Sequence, residues 1–207
     1  MLEAVRRYYS EKIAEHGPTA QGVDWKDEAS QELRFEQLLK ICAPGSPFTI
    51  NDYGCGYGAL ALYLQERDYP FTYTGFDISA NMLAQARQLL GDSDRCRFVA
   101  TEGELERADC TVASGIFNVR LDAPPEAWER SALETLSRLD ELSSRGFAFN
   151  MLTSYSDPER MRDDLYYADP RAIFDHCKRN FSRWVALLHD YGLYEFTILV
   201  RKEPEPK

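Results

Sequence analysis

Asp52-Tyr53-Gly54-Cys55-Gly56-Tyr57-Gly58 follows, after Asn51, on the apolar run Phe48-Thr49-Ile50. A second strand-like run, Phe71-Thr72-Tyr73-Thr74-Gly75-Phe76, ends on Asp77. The order is an acidic residue, a glycine turn, and a second acidic residue one strand–helix–strand unit later. A buried strand must turn sharply into a helix at such a place. Gly54 and Gly56 can take positive φ there and let a ligand approach the backbone. The helix expected from Ala59 to Arg67 points its positive end at the same spot. Asp77, at the tip of the next strand, faces the crevice with a carboxylate able to accept from both hydroxyls of a ribose. Together these residues make a nucleoside-binding device.

Two kinds of ligand use that geometry. A dinucleotide site reads G-x-G-x-x-G/A, which Gly54 to Ala59 satisfies. The second pattern is D/E-x-G-x-G-x-G, which Asp52 through Gly58 fits at every fixed position. Asp52 argues between them. A carboxylate just ahead of the first glycine repels a pyrophosphate and favours the ammonium end of S-adenosylmethionine (SAM).

On these residues the chain resembles the class I SAM-dependent methyltransferases, by motif over roughly residues 45–155 and by element order over 30–202. The resemblance implies SAM as cofactor. Gly54, Cys55 and Gly56, with Asp52 ahead of them, would cradle its methionine part. Asp77 with Ile78 would hold the ribose, and Glu102, Gly103 and Glu104 would meet the adenine. Two positions depart from the family pattern: Tyr53 stands where Leu or Ile is usual, and Thr101-Glu102 replaces Gly-Asp. The implied fold is α/β and Rossmann-like. It has a seven-stranded, mostly parallel sheet in the order 3-2-1-4-5-7-6, helices on both faces and an N-terminal helical cap.

Composition narrows the field. The 207 residues, 44% of them hydrophobic, suit one domain with a small appendage. We expect a cap or lid over 1–44, a SAM-binding domain over 45–202 and a tail over 203–207. No run of about 18 apolar residues exists, and the first residues lack a signal peptide's apolar stretch, so no membrane partner is expected. The five cysteines are widely spaced, with no CxxC or Cys/His pattern. They read as reduced thiols of a cytoplasmic protein without a metal. A net charge of −10 repels a polyanion. The densest basic group, Lys178-Arg179-Asn180 with Arg183, is modest. A small-molecule partner is therefore expected, and nucleic acid is not. Nothing here fixes an oligomeric state.

Helical spacing marks residues 2–15 and about 27–42, the second stopped by Ala43-Pro44-Gly45. Strands and helices then alternate. Ser79 is placed to cap a helix, Arg95 to Ala100 reads as the third strand and Cys110 to Ala113 as the fourth. Pro124-Pro125 opens a long helix, and Phe147 to Leu152 is the fifth strand. A helix from Pro170 precedes two runs, Trp184 to Leu188 and Tyr194 to Val200, close enough to form an antiparallel hairpin.

Methyl transfer from a sulfonium needs alignment and dryness more than covalent help. Ser114 and Gly115, after the fourth strand, would lie beside the methyl, with Phe117 and Asn118 following. Tyr155, Tyr166 and Tyr167 would add aromatic walls to an acceptor pocket, and Tyr9 would come from the cap. Trp25 and Arg34 would close over SAM, the arginine pairing with its carboxylate. No residue qualifies as a general base, and no DPPY or NPPY tetrapeptide follows the fourth strand. The expected activity is methyl transfer from SAM to oxygen or nitrogen of a small molecule. A SAM-binding sensor or partner subunit without catalysis would share the motifs. An NAD-dependent oxidoreductase is disfavoured by Asp52 and by the short third crossover.

Overall fold

The computed structural model describes residues 2–43 and 45–202, so the expected tail and Pro44 lie outside the described residues. Strands β1 (Phe48–Tyr53) and β2 (Phe71–Phe76) run parallel, with Phe48 beside Phe71 and Tyr53 beside Phe76. Apolar, aromatic and β-branched residues fill both between turn signals, which is why these segments are strands. β3 (Cys96–Val99) adds to one side; β4 (Ala108–Ala113) and β5 (Ser143–Leu152) add to the other. β7 (Glu195–Arg201) lies antiparallel between β5 and β6 (Trp184–Leu188). The sheet order is β3-β2-β1-β4-β5-β7-β6. Glu195 pairs with Leu152, so β7 begins at the edge where the parallel strands end.

The helices are α1 (Leu2–His16), α2 (Glu28–Leu39), α3 (Ala59–Glu66), α4 (Ala80–Leu90), α5 (Pro125–Glu141) and α6 (Pro170–Asn180). Short polar side chains start three of them. Asp27 accepts from Ser30 N–H at 2.8 Å, Ser79 from Met82 N–H at 3.4 Å and Asp169 from Arg171 N–H at 2.9 Å. Each such cap contributes about 1 kcal/mol. α2 stops short of Cys42, because the N–H groups of Lys40, Ile41 and Cys42 tighten onto the carbonyls of Gln37, Leu38 and Leu39. β5 starts earlier than Phe147. Ser143-Ser144-Arg145 carries no apolar signal, yet Ser143 pairs with Ala108 and Arg145 C=O accepts from Lys202 N–H. Neighbouring strands settle that segment, not its own propensity.

Two cores sandwich the sheet. Phe35, Leu38, Leu60, Leu64 and Leu83 from α2, α3 and α4 pack on Ile50, Tyr73 and Val112. Leu136, Leu139, Ile173 and Cys177 from α5 and α6 pack on Phe147, Phe149 and Ile198. Each large side chain fully buried in this way stabilises the fold by roughly 1.5–3 kcal/mol. The two-residue period of a strand sends Phe147, Phe149 and Met151 to the α5 side and Ala148 to the α2 side. The same alternation turns Asn150 and Glu195 toward α2, which matters below.

Candidate active site

The carboxyl ends of β1, β2 and β4, the inner face of α1 and one face of α5 enclose a cavity of ≈ 280 Å³. Gly54 and Gly56 line it with φ of +84° and +55°. A Cβ on Gly54 would lie 2.2 Å from Cγ2 of Ile116, so a glycine is needed where this turn meets the loop after β4. The turn is tied to β2: the Phe76 carbonyl accepts from Gly54 N–H at 2.8 Å and Cys55 N–H at 2.9 Å. Cys55 itself points into the core beside Gly75, where burial pushes its thiol well up.

Asp77 is the hub of the cavity. Its Oδ2 accepts from Gly56 N–H at 2.9 Å and its Oδ1 from Ser79 N–H at 2.7 Å. Each carboxylate oxygen retains a second lone pair. Burial pushes the group up to about 6, against the two amide bonds that lower it. Asp52 lies beneath the turn and outside the cavity lining. It is 4% exposed and accepts from the Tyr73 hydroxyl at 2.8 Å. Burial raises it to about 7, the Tyr73 bond opposing and the Asp77 charge adding.

Ile78 and Glu102 line the cavity beyond Asp77. Glu102 Oε1 accepts from the Tyr53 hydroxyl at 3.0 Å and from Arg138 Nε at 3.1 Å. The two departures from the family pattern are thus partners: the phenol at 53 reaches the carboxylate at 102. Gly103 and Glu104 stand outside the lining, Glu104 turned back to cap Thr101. α5 supplies Trp128, Ser131, Ala132 and Thr135, which the sequence reading passed over. Their i, i+3, i+4, i+7 spacing was a readable signal, masked by the stronger leucine series on the same helix.

From the cap, Tyr9 and Trp25 line the cavity. The Tyr9 hydroxyl forms no hydrogen bond with the described residues. Burial first, then the charges of Asp24 and Asp77, hold it far above an ordinary phenol, so it stays protonated. Arg34 is the main correction. It does not reach the cavity: the residue is 7% exposed and its guanidinium forks onto Glu195, with Nε–Oε2 2.8 Å and Nη2–Oε1 2.6 Å. That carboxylate comes from a strand 161 residues away, a partner that local spacing cannot reveal.

After β4, Ser114, Gly115 and Phe117 line the cavity. Ser114 Oγ is buried with no partner among the described residues. Asn118 is structural: its Oδ1 accepts from Leu152 N–H at 3.2 Å and its carbonyl from Tyr166 N–H at 2.8 Å. The chain after β5 runs outward and is held by a bridge between Thr153 and Ala168. Tyr155 is consequently 60% exposed against His189, Tyr166 packs on the α5 core, and the Tyr167 hydroxyl accepts from Arg162 N–H at 3.1 Å. These tyrosines and Asn118 are absent from the cavity wall. Among the described residues no group of His, Cys, Asp and Glu is arranged to hold a metal.

Residues 50–139 match a family model described as a methyltransferase domain. "Putative methyltransferase Rv1506c" of Mycobacterium tuberculosis is 53% identical over 164 residues, covering 79% of this chain and 99% of that protein. Carboxy-S-adenosyl-L-methionine synthase of Chromohalobacter salexigens is 37% identical over 93 residues, 42% of this chain and 34% of the enzyme. Among solved structures, magnesium protoporphyrin IX methyltransferase of Synechocystis, with bound S-adenosylhomocysteine (SAH), superposes with a TM-score of 0.68. It shares 16% identity and covers 98% of this chain and 100% of its own. N-methyltransferase NodS of Bradyrhizobium japonicum, also with SAH, gives 0.66 at 14% identity over 96% and 98%. The second pair shares only the fold; the mycobacterial relative, matched along nearly its whole length, makes the family plain. The chain belongs to the class I SAM-dependent methyltransferases.

Proposed function

We propose that this methyltransferase acts on oxygen or nitrogen of a small, partly apolar acceptor enclosed between cap and sheet. The observation that carries this reading is the cavity itself. Its walls at the Ser114 end are Trp25, Gly115, Ile116 and Phe117, and α1 roofs it. A polynucleotide would have to displace that roof against a net charge of −10.

The residues present fit the cofactor. Glycines leave room at the turn, Asp77 keeps lone pairs for a ribose, and Tyr9 and Ser114 carry hydroxyls with no partner among the described residues. SAM, when bound, supplies a methyl already activated by a sulfonium. The chain's part is to hold that group, align the acceptor and keep water out. Among the described residues, the titratable groups on the wall are Arg6, Tyr9, Tyr53, Asp77 and Glu102. Asp77 and Glu102 sit at the nucleoside end, Arg6 is paired with Glu3, and Tyr9 is a donor. Positioning, not proton removal by a side chain, is therefore the chain's contribution.

Methyl-tritiated SAM incubated with a metabolite extract and, in parallel, with total tRNA tests the assignment. Label is expected in the small-molecule fraction. Label in RNA alone would move the protein to the nucleic-acid-modifying enzymes.

A further inference from the structure

Five residues from five places in the chain close a ring beside the cavity. Arg34 on α2 lays its guanidinium over the Trp25 ring, 3.7 Å from the centroid. The same guanidinium forks onto Glu195, at 2.8 and 2.6 Å. Glu195 Oε2 accepts again, from Asn150 Nδ2 at 3.1 Å. Asn150 Oδ1 accepts from Gly115 N–H at 2.7 Å. Gly115 returns to Trp25: a Cβ there would lie 2.4 Å from Cζ2 of the indole. Arg34, Glu195 and Asn150 are 7%, 1% and 0% exposed, and only Trp25 and Gly115 face the cavity.

The ring has one well-defined arrangement. A bidentate guanidinium–carboxylate fork fixes both planes. The Asn150 amide is oriented by opposite demands at its two ends; flipped, it would turn an N–H toward Gly115 N–H and a carbonyl toward a carboxylate. A buried ion pair of this kind adds little stability over an apolar pair of the same volume. It does fix geometry. Through Arg34, Glu195 seats the indole; through Asn150, it holds the glycine on which the indole rests.

We propose that Glu195 is a positioning residue for the methyl-transfer end of the cavity, setting Trp25 and Gly115 together without touching any ligand. The proposal rests on the reading of this cavity as the SAM site. Arg34 then serves the cofactor through Trp25, not by pairing with it.

The test uses the full chain carrying 5-fluorotryptophan, with the Trp25 fluorine resonance assigned by Trp25→Phe, and titration with SAH. Arg34→Met/Glu195→Gln removes both charges at similar volume, sparing the fold an unpaired buried charge. Arg34→Lys keeps the charge but loses the fork and the flat stack. In the folded double variant we expect the Trp25 resonance to shift and broaden and the SAH dissociation constant to rise about tenfold. Arg34→Lys should move both readouts the same way by less. Wild-type resonance position and affinity in either folded variant overturn the proposal, and Arg34→Lys decides it if the double variant does not fold. A wild-type protein that binds no SAH would overturn the SAM reading instead, and the Trp25 resonance alone would then judge the ring.

Discussion

Asp52 and Asp77 are carboxylates placed where ionisation is disfavoured, and this has two measurable consequences. In an unfolded chain both titrate near 3.9; in the native protein burial pushes them to about 7 and about 6. Above pH ~4 the unfolded chain has lost these protons while the native protein still holds them. Their contribution to stability is thus complete below pH ~4 and is lost as the pH rises through about 6 and 7. Asp52→Asn keeps an acceptor for the Tyr73 hydroxyl and removes the larger of the two shifts. Its Tm should exceed wild type by about 3–8 °C at pH 7.5, with the difference vanishing near pH 4. A lower Tm at pH 7.5 would contradict the burial account. Asp77 predicts the opposite trend in binding. Ribose hydroxyls donate to the ionised form, so SAH affinity measured by calorimetry should fall as the pH drops through about 6. Asp77→Asn should weaken SAH binding by about ten- to a hundredfold and flatten that pH dependence. Both aspartates were legible in the sequence because motif and spacing mark them. Their difference was not: one lines the cavity and the other sits beneath the turn, which depends on the strand pairing around Tyr73.

Among the α-helices, α1 buries the smallest share of its residues. Of its length only Val5 and Ile13 are buried, and its contacts run to α4 and the short turn around Gly22. If it roofs a cofactor, SAH should slow hydrogen exchange of α1 amides while β1, β4 and β5, already deep in the sheet, change little. Equal exchange with and without SAH would make α1 a fixed cap. Elements whose signal is their own were readable: β1, β2, α4 with its Ser79 cap, and α5 after its prolines. Elements settled by neighbours were not. The early part of β5 has no apolar pattern and exists because β4 and Lys202 pair with it. The outward course of the chain after β5, which removes Tyr155, Tyr166 and Tyr167 from the cavity, rests on a bridge to Ala168 and on Asn118. Aromatic composition alone could not reveal a direction.

For the whole molecule, a ligand that binds only the folded state raises stability by mass action. SAH at about a hundred times its dissociation constant adds about 2.7 kcal/mol, which for a chain of this size is about 5–10 °C in Tm. NAD at the same concentration should leave the Tm unchanged; a larger shift with NAD would return the glycine turn to the dinucleotide class. Among the described residues no helix is long and apolar enough to cross a membrane. The part of the cavity around Gly54, Gly56 and Asp77 was open to reading because β1, its turn and β2 are contiguous in sequence. Trp25, Ser114 and Gly115 were legible too and line the cavity, but the links through Arg34, Asn150 and Glu195 were not, since those residues meet only in space. That last fact bears on biosynthesis. The Arg34–Glu195 contact spans 161 residues, so Glu195 is the last of the five ring members to be made. A nascent chain can form β1, the glycine turn and Asp77 while still on the ribosome, yet it cannot seat the indole until β7 has emerged and entered the sheet. A chain made only as far as β5 would carry Asp77 and the glycine turn without the carboxylate that closes the ring, so the synthesis of β7 sets when that ring can form.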